Sequence, residues 1–201
     1  MEDFDELSED EIREYSLNIN TVAKNVYELL ENLLEWSRIQ TGRRKFVPEI
    51  FQLDAAVEKV VELFLDAAQN KKLHLTADIQ PEISVFADYN MIFTVLRNLV
   101  SNAIKFTREH GRIKITSSIG SDFITVTVAD SGVGIRKADL HKIFNITTSY
   151  STVGTAQESG TGLGLILCKE LIEKNGGTIV VESTEGKGSA FSFKIPVHKV
   201  E

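Results

Sequence analysis

The stretch Asn98-Leu-Val-Ser-Asn102-Ala-Ile-Lys105-Phe106 decides how this chain folds. Its apolar residues continue a helical pattern that begins at Tyr89. Spacings of three and four residues predict an inward face made of Ile92, Val95, Leu96, Leu99, Val100 and Ala103. The same helix carries a polar stripe, because Asn98 and Asn102 are i, i+4 neighbours and Lys105 lies three residues further on.

Two interpretations of this polar stripe are open from its residues. A solvated helix face is an ordinary explanation for Asn98 and Asn102 taken alone. An amide oxygen is also a ligand for a hard cation such as Mg²⁺, and a nearby lysine can offset the charge of a phosphate. The motifs around the stripe are therefore needed to distinguish a solvated helix face from a site for Mg²⁺ and phosphate.

Helical and period-two segments alternate on both sides of this helix, which predicts one α/β unit. Further helices are expected over residues 53–69 and 163–174, the second closed by Asn175, Gly176 and Gly177. Short strands are expected over residues 73–79, 84–87, 112–119, 123–129, 178–183 and 189–195. The polar stretch 145–160 is predicted to be a loop, and loops of that length are usually functional or mobile.

Three glycine clusters lie in the second half of the chain. Asp130-Ser-Gly132-Val-Gly134 follows a predicted strand, Gly160-Thr-Gly162-Leu-Gly164 precedes a predicted helix, and Gly186-Lys-Gly188 lies between the last two strands. The second cluster fails the Rossmann fingerprint because residue 165 is Leu, and no window matches a Walker A loop. Backbone N–H groups at a helix start still suit an anionic phosphate.

The first forty residues predict a single long helix over residues 8–41. Ser8 and Glu11 form a capping-box pattern, Gly42 is a plausible end, and the length is roughly 50 Å at 1.5 Å per residue. Its apolar seam follows a heptad spacing: Ile12, Tyr15, Ile19, Val22, Val26, Leu29, Leu33 and Trp36. The seam needs another helix, although the alternative of a helix lying on its own domain is open. Residues 42–48 are expected to form a hinge.

Composition excludes several function classes. The 201 residues carry 22 Lys and Arg against 29 Asp and Glu, a net charge of −7, so we expect no nucleic-acid partner. No run of about 18 apolar residues occurs and the N-terminus is acidic, so we expect no membrane contact and no signal peptide. One cysteine, Cys168, cannot form an intrachain disulfide or a cysteine zinc site, which favours a reduced, cytoplasmic compartment.

The motifs together resemble the ATP-binding domain of sensor histidine kinases of two-component systems. The opening stretch resembles their N box, the Asp130 to Ile135 stretch their G1 box, and Lys142-Ile-Phe144 their F box. The stretch from Gly160 to Gly164 is similar to their G2 box. The resemblance covers roughly residues 46–197, and the seam helix is similar to the second helix of the dimerisation and histidine-phosphotransfer hairpin. It predicts two parts, 1–43 and 44–201.

The resemblance implies an α/β fold of the Bergerat type, an α+β two-layer sandwich in which helices pack on one face of a mixed sheet. Gyrase, the large heat-shock chaperone and mismatch-repair ATPases share it. It also implies ATP and Mg²⁺ as cofactors. Asp130 would accept a hydrogen bond from the adenine amino group, and Gly134 would let the backbone approach the base. Asn102 would ligate Mg²⁺ with Asn98 close by, and Lys105 would contact phosphate.

The same resemblance assigns the remaining contacts. Phe106 and Ile135 would offer apolar surface to the adenine, Gly162 and Gly164 would present amides to the phosphates, and loop 145–160 would be the lid. Asn98 and Lys105 are the expected catalytic residues. The residues expected to contact the nucleotide are Asn102, Lys105, Phe106, Asp130, Gly132, Gly134, Ile135, Lys142, Phe144, Gly160, Thr161, Gly162, Leu163, Gly164 and Ser189.

The chain departs from the family pattern in two places. The F box lacks the usual second Phe and Arg, which leaves Lys142 or the lid hydroxyls to contact phosphate. No histidine has the acidic neighbour and following Pro of a phosphoacceptor, so structural roles are expected, in a strand, a turn, the F-box helix and the tail, for His74, His110, His141 and His198. We therefore expect part of a homodimeric kinase that would transfer the γ-phosphate to a histidine absent from this chain, for relay to a response-regulator aspartate.

Three other functions are alternatives to this interpretation. An ATPase clamp of the same fold would carry a catalytic Glu in the N-box helix, where this chain has Asn98. A switch kinase directed at a partner's serine would lack the long seam helix. The chain could instead be a nucleotide-binding module that is inactive by itself, which labelled ATP and a separate acceptor hairpin would distinguish from a kinase.

Overall fold

The helices and strands come from a computed structural model, which describes residues 8–81, 83–145, 154–156, 158 and 162–197. The helices are α1 (Glu9–Gln40), α2 (Leu53–Asn70), α3 (Tyr89–Phe106) and α4 (Gly164–Lys174). The strands are β1 (Glu49–Gln52), β2 (His74–Asp78), β3 (Ser84–Ala87), β4 (Arg112–Ile119), β5 (Phe123–Asp130), β6 (Thr178–Thr184) and β7 (Gly188–Pro196). Every helix and strand predicted with bounds is present, with its ends within two residues of the expected positions, whereas the F-box segment expected as a helix around His141 is a turn.

Five strands form one mixed sheet in the order β2-β4-β5-β7-β6. The β2–β4 pair is parallel and the other three pairs are antiparallel. At the centre, Val126 of β5 lies opposite Ser117 of β4 on one side and Phe193 of β7 on the other. The predicted mixed sheet is confirmed, and its parallel pair arises because the chain passes through β3 and α3 between β2 and β4.

The core lies on one face of this sheet. Strand residues alternate, so that Arg112 and Lys114 are exposed while Ile113 and Ile115 between them are buried. Helices α2, α3 and α4 cover the buried face, with α3 against β5. The inward side chains of the sheet are Ile113, Ile115, Ile124, Val126, Val128, Phe191, Phe193 and Ile195. The two-layer arrangement expected from the sequence is confirmed.

A second, two-stranded sheet was not predicted. Strand β1 pairs antiparallel with β3, with Ile50 opposite Phe86. Its four residues, Glu49–Gln52, are mostly exposed and follow Pro48 directly, so neither a buried face nor a long alternating run identifies the strand. The pairing with β3, more than thirty residues away, creates the strand.

Helix α1 begins at the predicted capping box. The Ser8 N–H donates to Glu11 Oε2 at 2.8 Å, and the Glu11 N–H donates to Ser8 Oγ at 3.3 Å. Its predicted seam is exposed in this chain as far as Leu33. A second exposed apolar stripe runs beside that seam: Tyr27, Leu30 and Leu34. The last turn differs, because Ile39 packs against the core of the α/β unit.

The segment between α1 and β1, predicted as a hinge, is anchored at three points. Arg44 forms an ion pair with Glu35 of α1. Lys174 Nζ at the end of α4 donates to the Arg44 carbonyl at 2.5 Å. The Val47 N–H donates to Asp88 Oδ2, at the start of α3, at 3.0 Å. These contacts connect the long helix to the ends of two helices of the α/β unit.

Candidate nucleotide-binding site

Helix α3 places the polar stripe at the edge of the core. The helix begins at Asp88, whose side chain accepts a hydrogen bond from the Met91 N–H at 3.1 Å. Asn98 is 8% exposed, and Asn102 and Lys105 are half-buried. The interpretation of the stripe as an ordinary solvated face is therefore wrong for Asn98.

The Asn98 amide faces the start of α4. A Cβ placed on Gly164 would lie 3.3 Å from Asn98 Oδ1. Asn98 Nδ2 is buried and has no hydrogen-bond partner among the described residues. An unpaired buried donor costs about 1–3 kcal/mol, so a ligand group that accepts a hydrogen bond from this amide would remove that cost.

The start of α4 presents backbone amides to the same region. Gly162 has a φ of +71°, Leu163 precedes the first helical turn, and no side chain caps that turn. The first N–H groups of a helix have no intrahelical partners, and they carry the positive end of the helix dipole. This arrangement favours an anion. Gly160 and Thr161 lie outside the described residues, as does most of the predicted lid, 145–160.

Asp130 ends β5, and the turn that follows it packs against the end of α3. Its Oδ1 accepts hydrogen bonds from the Gly132 N–H at 2.8 Å and from the Ser189 N–H at 3.3 Å. Burial raises the pKa of the Asp130 carboxyl above its ordinary value, and the two backbone amides oppose only part of that shift. Both bonds use Oδ1, so they leave Oδ2 available to a further donor.

The glycines after Asp130 are required by protein packing. A Cβ on Gly132 would overlap the Phe106 carbonyl at the end of α3. Gly134 has a φ of +67°, and a Cβ there would overlap the Thr184 carbonyl in the β6–β7 hairpin. The Val133 N–H donates to the Phe106 carbonyl at 3.1 Å. The structure thus supplies a reason for these glycines that does not depend on a nucleotide.

The same turn is fixed from the other side by Ser183 of β6. Its Oγ accepts from the Ile135 N–H at 2.8 Å and lies 3.0 Å from Ser189 Oγ. The G1-box turn therefore contacts the end of α3 at Phe106, and the G2-box residue Gly164 faces Asn98 about two turns earlier on the same helix. Sequence analysis missed Ser183, which carries no motif signal because an isolated serine in an alternating strand is ordinary.

The F-box residues lie in a separate turn organised by Asp139. This carboxylate is buried and accepts from Lys142 Nζ at 2.7 Å and from Arg136 Nε at 2.8 Å. The hydrogen bond from Lys142, assisted by Arg136, lowers the pKa of Asp139 although burial opposes it. Lys142, expected to contact phosphate, is thus paired with a carboxylate. Phe144 and Ile135 are half-buried against the core.

The structure corrects the predicted position of His141 and shows a charge cluster around Asp139 that the sequence analysis missed. His141 lies in a turn and not on a helix. The residues that surround Asp139 are spaced at i−3 and i+3, and that spacing of opposite charges could have identified the cluster.

Away from these turns, the described side chains form no metal cluster and no reactive thiol. No group of three or more His, Cys, Asp or Glu side chains in the described ranges could hold a metal. Burial raises the pKa of the Cys168 thiol to about 12, which makes it unreactive. Among the described helices, none has the length and apolar character needed to span a membrane. Among the described residues, the buried Asn98 amide and the start of α4 therefore remain the candidate site for an anionic group.

Comparison with known proteins agrees with this geometry. Residues 87–199 match the family described as histidine kinase-, DNA gyrase B-, and HSP90-like ATPase. The circadian input-output histidine kinase CikA of Synechococcus elongatus is 33% identical over 187 residues, which cover 92% of this chain and 25% of that protein. The chain thus spans about a quarter of that relative's length.

Two solved structures are similar in fold. The catalytic domain of histidine kinase ThkA is 34% identical with a TM-score of 0.66, over 77% of this chain and 99% of that chain. Histidine kinase ThkA in complex with the response regulator protein TrrA is 27% identical with a TM-score of 0.77, over 96% of this chain and 53% of that chain. The chain belongs to the family of histidine kinase-, DNA gyrase B- and HSP90-like ATPases, and its α/β unit is the catalytic, ATP-binding domain of a sensor histidine kinase.

Proposed function

We propose that this chain binds ATP with Mg²⁺ and presents the γ-phosphate to a histidine on a hairpin helix outside these residues, for relay to an aspartate of a response regulator. The observation that carries the proposal is the meeting of the buried Asn98 amide with Gly164, the first residue of α4. There the unpaired Asn98 Nδ2 donor lies beside the N-terminus of α4, which carries the positive end of the helix dipole. Both features would stabilise a phosphate.

The adenine side of the site is assigned to the G1 turn. Asp130 Oδ2 would accept from the adenine amino group, because Oδ1 is already bonded to Gly132 and Ser189. Phe106 and Ile135 would contact the base with their apolar surface. Gly132 and Gly134 keep this turn packed against α3 and the β6–β7 hairpin, so their contribution to binding is to hold the turn in place.

The phosphate side is assigned to α3 and the start of α4. Lys105 and the amides of Gly162, Leu163 and Gly164 would offset phosphate charge. The Asn102 amide oxygen would hold Mg²⁺ together with phosphate oxygens, which fits a region without a metal-binding carboxylate cluster among the described residues. Bound Mg²⁺ neutralises charge that develops on the β and γ oxygens.

In the transfer step, this chain orients the phosphates and does not supply the nucleophile. A histidine nitrogen would attack the γ-phosphorus, forming a P–N bond while the bond to the ADP oxygen breaks. Lys105 would stabilise the charge left on ADP, and the buried Asn98 would orient the phosphates. Asn98 stands where an ATPase clamp would carry a water-activating Glu, so the clamp function is not favoured.

The long helix is assigned to dimerisation. We propose that residues 1–43 are the second helix of a dimerisation and phosphotransfer hairpin and that 44–201 are the ATP-binding domain. The two exposed stripes of α1 together are broader than the seam of a two-stranded coiled coil, so they fit a four-helix bundle built from two kinase copies. ThkA is solved with a response regulator, and we propose such a partner, and a cytoplasmic location, here.

Calorimetric titration of this chain with ATP and ADP, with and without Mg²⁺, tests the nucleotide assignment. We expect Asp130→Ala to weaken binding by about 1–3 kcal/mol, because the adenine amino group loses its acceptor. Asp78→Ala is the matched control, since Asp78 is an exposed carboxylate at the end of another strand. Unchanged affinity in Asp130→Ala would remove the adenine assignment.

The metal assignment has its own test in the full-length kinase. Asn102→Asp should impair phosphate transfer far more than it impairs nucleotide binding without metal, because Asn102 is proposed as an oxygen ligand. Equal loss of both would show that Asn102 holds the helix or the base instead.

A further inference from the structure

The end of α3 is covered by a cation that the proposed function does not use. Lys71 follows the last residue of α2, and its side chain is 12% exposed. Its Nζ lies 2.8 Å from the Ile104 carbonyl oxygen, 3.0 Å from the Lys105 carbonyl oxygen and 2.8 Å from Glu158 Oε1. One ammonium group therefore connects α2, the end of α3 and the segment before the G2 glycines.

That segment is bonded to α3 at further points. The Thr155 N–H and Oγ1 each donate to the Lys105 carbonyl at 3.0 Å, and Oγ1 also lies 3.0 Å from the Thr107 carbonyl. Gly154 is buried, and a Cβ there would lie 2.6 Å from Lys105 Cγ. The Lys105 backbone thus receives three hydrogen bonds, and its side chain packs along Gly154.

Glu158 closes this arrangement. Its Oε2 accepts from the Ala156 N–H at 2.7 Å, and its carbonyl accepts from the Gly154 N–H at 2.8 Å. Burial tends to raise the pKa of Glu158, but the hydrogen bonds from Lys71 and the Ala156 amide hold it below its ordinary value. The carboxylate is therefore charged at neutral pH.

A negative group at this position needs a counter-charge. The last carbonyls of a helix have no intrahelical donors, and they carry the negative end of the helix dipole. A cation there is favourable and a carboxylate is unfavourable. Lys71 satisfies two of these carbonyls and neutralises Glu158 at the same time, so it compensates the charge that Glu158 brings close to Lys105.

We propose that Lys71 is a positioning residue for the phosphate side of the site: it binds Glu158 to the end of α3 and so holds Glu158 and residues 154–156 against Lys105. This inference rests on the proposed function, because it acts through the assignment of Lys105 to phosphate. Without Lys71, the Glu158 carboxylate is left next to the Lys105 side chain and competes with phosphate for the Lys105 ammonium group.

The chain contains a matched control in the next residue. Lys72 Nζ lies 2.9 Å from Glu109 Oε2, but both side chains are more than half exposed. An exposed ion pair contributes little because water screens it. Lys72→Met therefore removes the same type of charge one residue away without removing a contact to α3, to residues 154–156 or to Glu158.

The first measurement is the affinity of this chain for MgATP and for adenosine. Lys71→Met should weaken MgATP binding about tenfold and leave adenosine binding unchanged, since only the phosphate side is affected. Lys72→Met should change neither affinity. Adding Glu158→Gln to Lys71→Met should recover most of the lost MgATP affinity, because the competing charge is removed. A merely structural role for Lys71 predicts equal loss for both ligands and no recovery, and either result would overturn the proposal.

The second measurement needs no nucleotide and separates this inference from the proposed function. Amide exchange at Thr155 in the free chain should accelerate about tenfold in Lys71→Met and stay unchanged in Lys72→Met, because the segment loses its charged contact. Equal exchange in wild type and Lys71→Met would refute the contact whether or not ATP binds. A wild-type chain that binds no ATP but shows the Thr155 effect would refute the proposed function and leave the anchoring by Lys71 intact.

Discussion

Helices α1 and α3 have similar sequence patterns but lie in different environments. Each begins at a polar residue whose side chain accepts from a backbone amide, Ser8 for α1 and Asp88 for α3. Each carries apolar residues at spacings of three and four. In α3 those residues are fully buried against the sheet and its neighbouring helices, whereas in α1 they are exposed.

The difference shows where each helix obtains its stability. Helix α3 is held by apolar burial within the chain, and this rigid setting can keep a polar group such as Asn98 buried at a site. Helix α1 has the same chemistry on its apolar side, but among its described residues it packs on the α/β unit only through its C-terminal turns, where Ile39 contacts the core. An amphipathic helix of this kind requires partner helices, which the proposed bundle of two kinase copies would provide.

The largest effect is expected on self-association through α1. Val26→Asp combined with Leu33→Asp should abolish self-association, since burial of four such side chains in a dimer contributes about 6 kcal/mol or more. Sedimentation at increasing concentration measures this, and MgATP affinity should be unchanged. Glu14→Lys, at an exposed position in the polar column of α1 that also contains Thr21 and Glu35, is the control and should leave association intact. A wild-type chain that stays monomeric at high concentration would contradict the comparison, because the apolar stripes would then need no partner.

The next effect compares one leucine in each helix. Leu99→Ala in α3 should lower the free energy of unfolding by about 2–5 kcal/mol, because it opens a cavity in the packed core. Leu30→Ala in α1 should change it by less than about 0.5 kcal/mol in dilute, monomeric chain, since the side chain is exposed. Urea unfolding measures both. Equal losses would mean that α1 is part of the same core.

A third effect concerns the free-energy cost of burying the Asp130 carboxylate. Because burial raises the pKa of Asp130, ionising this carboxylate costs stability in the folded chain. Below the ordinary pKa both states hold the proton and nothing is lost, and stability falls as pH rises through the folded-state pKa. Asp130→Asn should therefore be more stable than wild type at pH 7, and the difference should vanish in acid.

Urea midpoints at several pH values test this, with exposed Asp78→Asn as the control. An Asp130→Asn variant that is less stable than wild type at neutral pH would show that its hydrogen bonds outweigh the cost of burial.

The smallest effects are expected at the N-cap residues of the two helices, Ser8 in α1 and Asp88 in α3. Ser8→Ala should destabilise the first turn of α1 by about 1 kcal/mol or less, visible as faster amide exchange there. Asp88→Ala should cost more, about 1–3 kcal/mol in urea unfolding, because buried Asp88 also accepts from the Val47 N–H. Similar small losses at both caps would show that the Asp88–Val47 bond contributes little.

The sequence alone predicted most of the secondary structure, because long periodic segments carry their own signal. The 18 residues of α3 were predicted with both ends correct, and the strands of the mixed sheet were each found within two residues. The glycine clusters and the asparagine stripe also predicted the family, since their order is preserved along the chain. Strand β1 was missed because four exposed residues have no periodic signal without their partner β3.

What the sequence determined, then, is local: which segments form helices and strands, which glycine turns follow them, and which residues resemble a nucleotide site. What the tertiary structure decided is contact between distant residues. It buried Asn98 against Gly164, paired Lys142 with Asp139, and placed Lys71 between α3 and Glu158 across 87 positions of sequence. Such contacts depend on packing of the whole core, because a side chain's charge and exposure are set by neighbours that sequence spacing does not reveal.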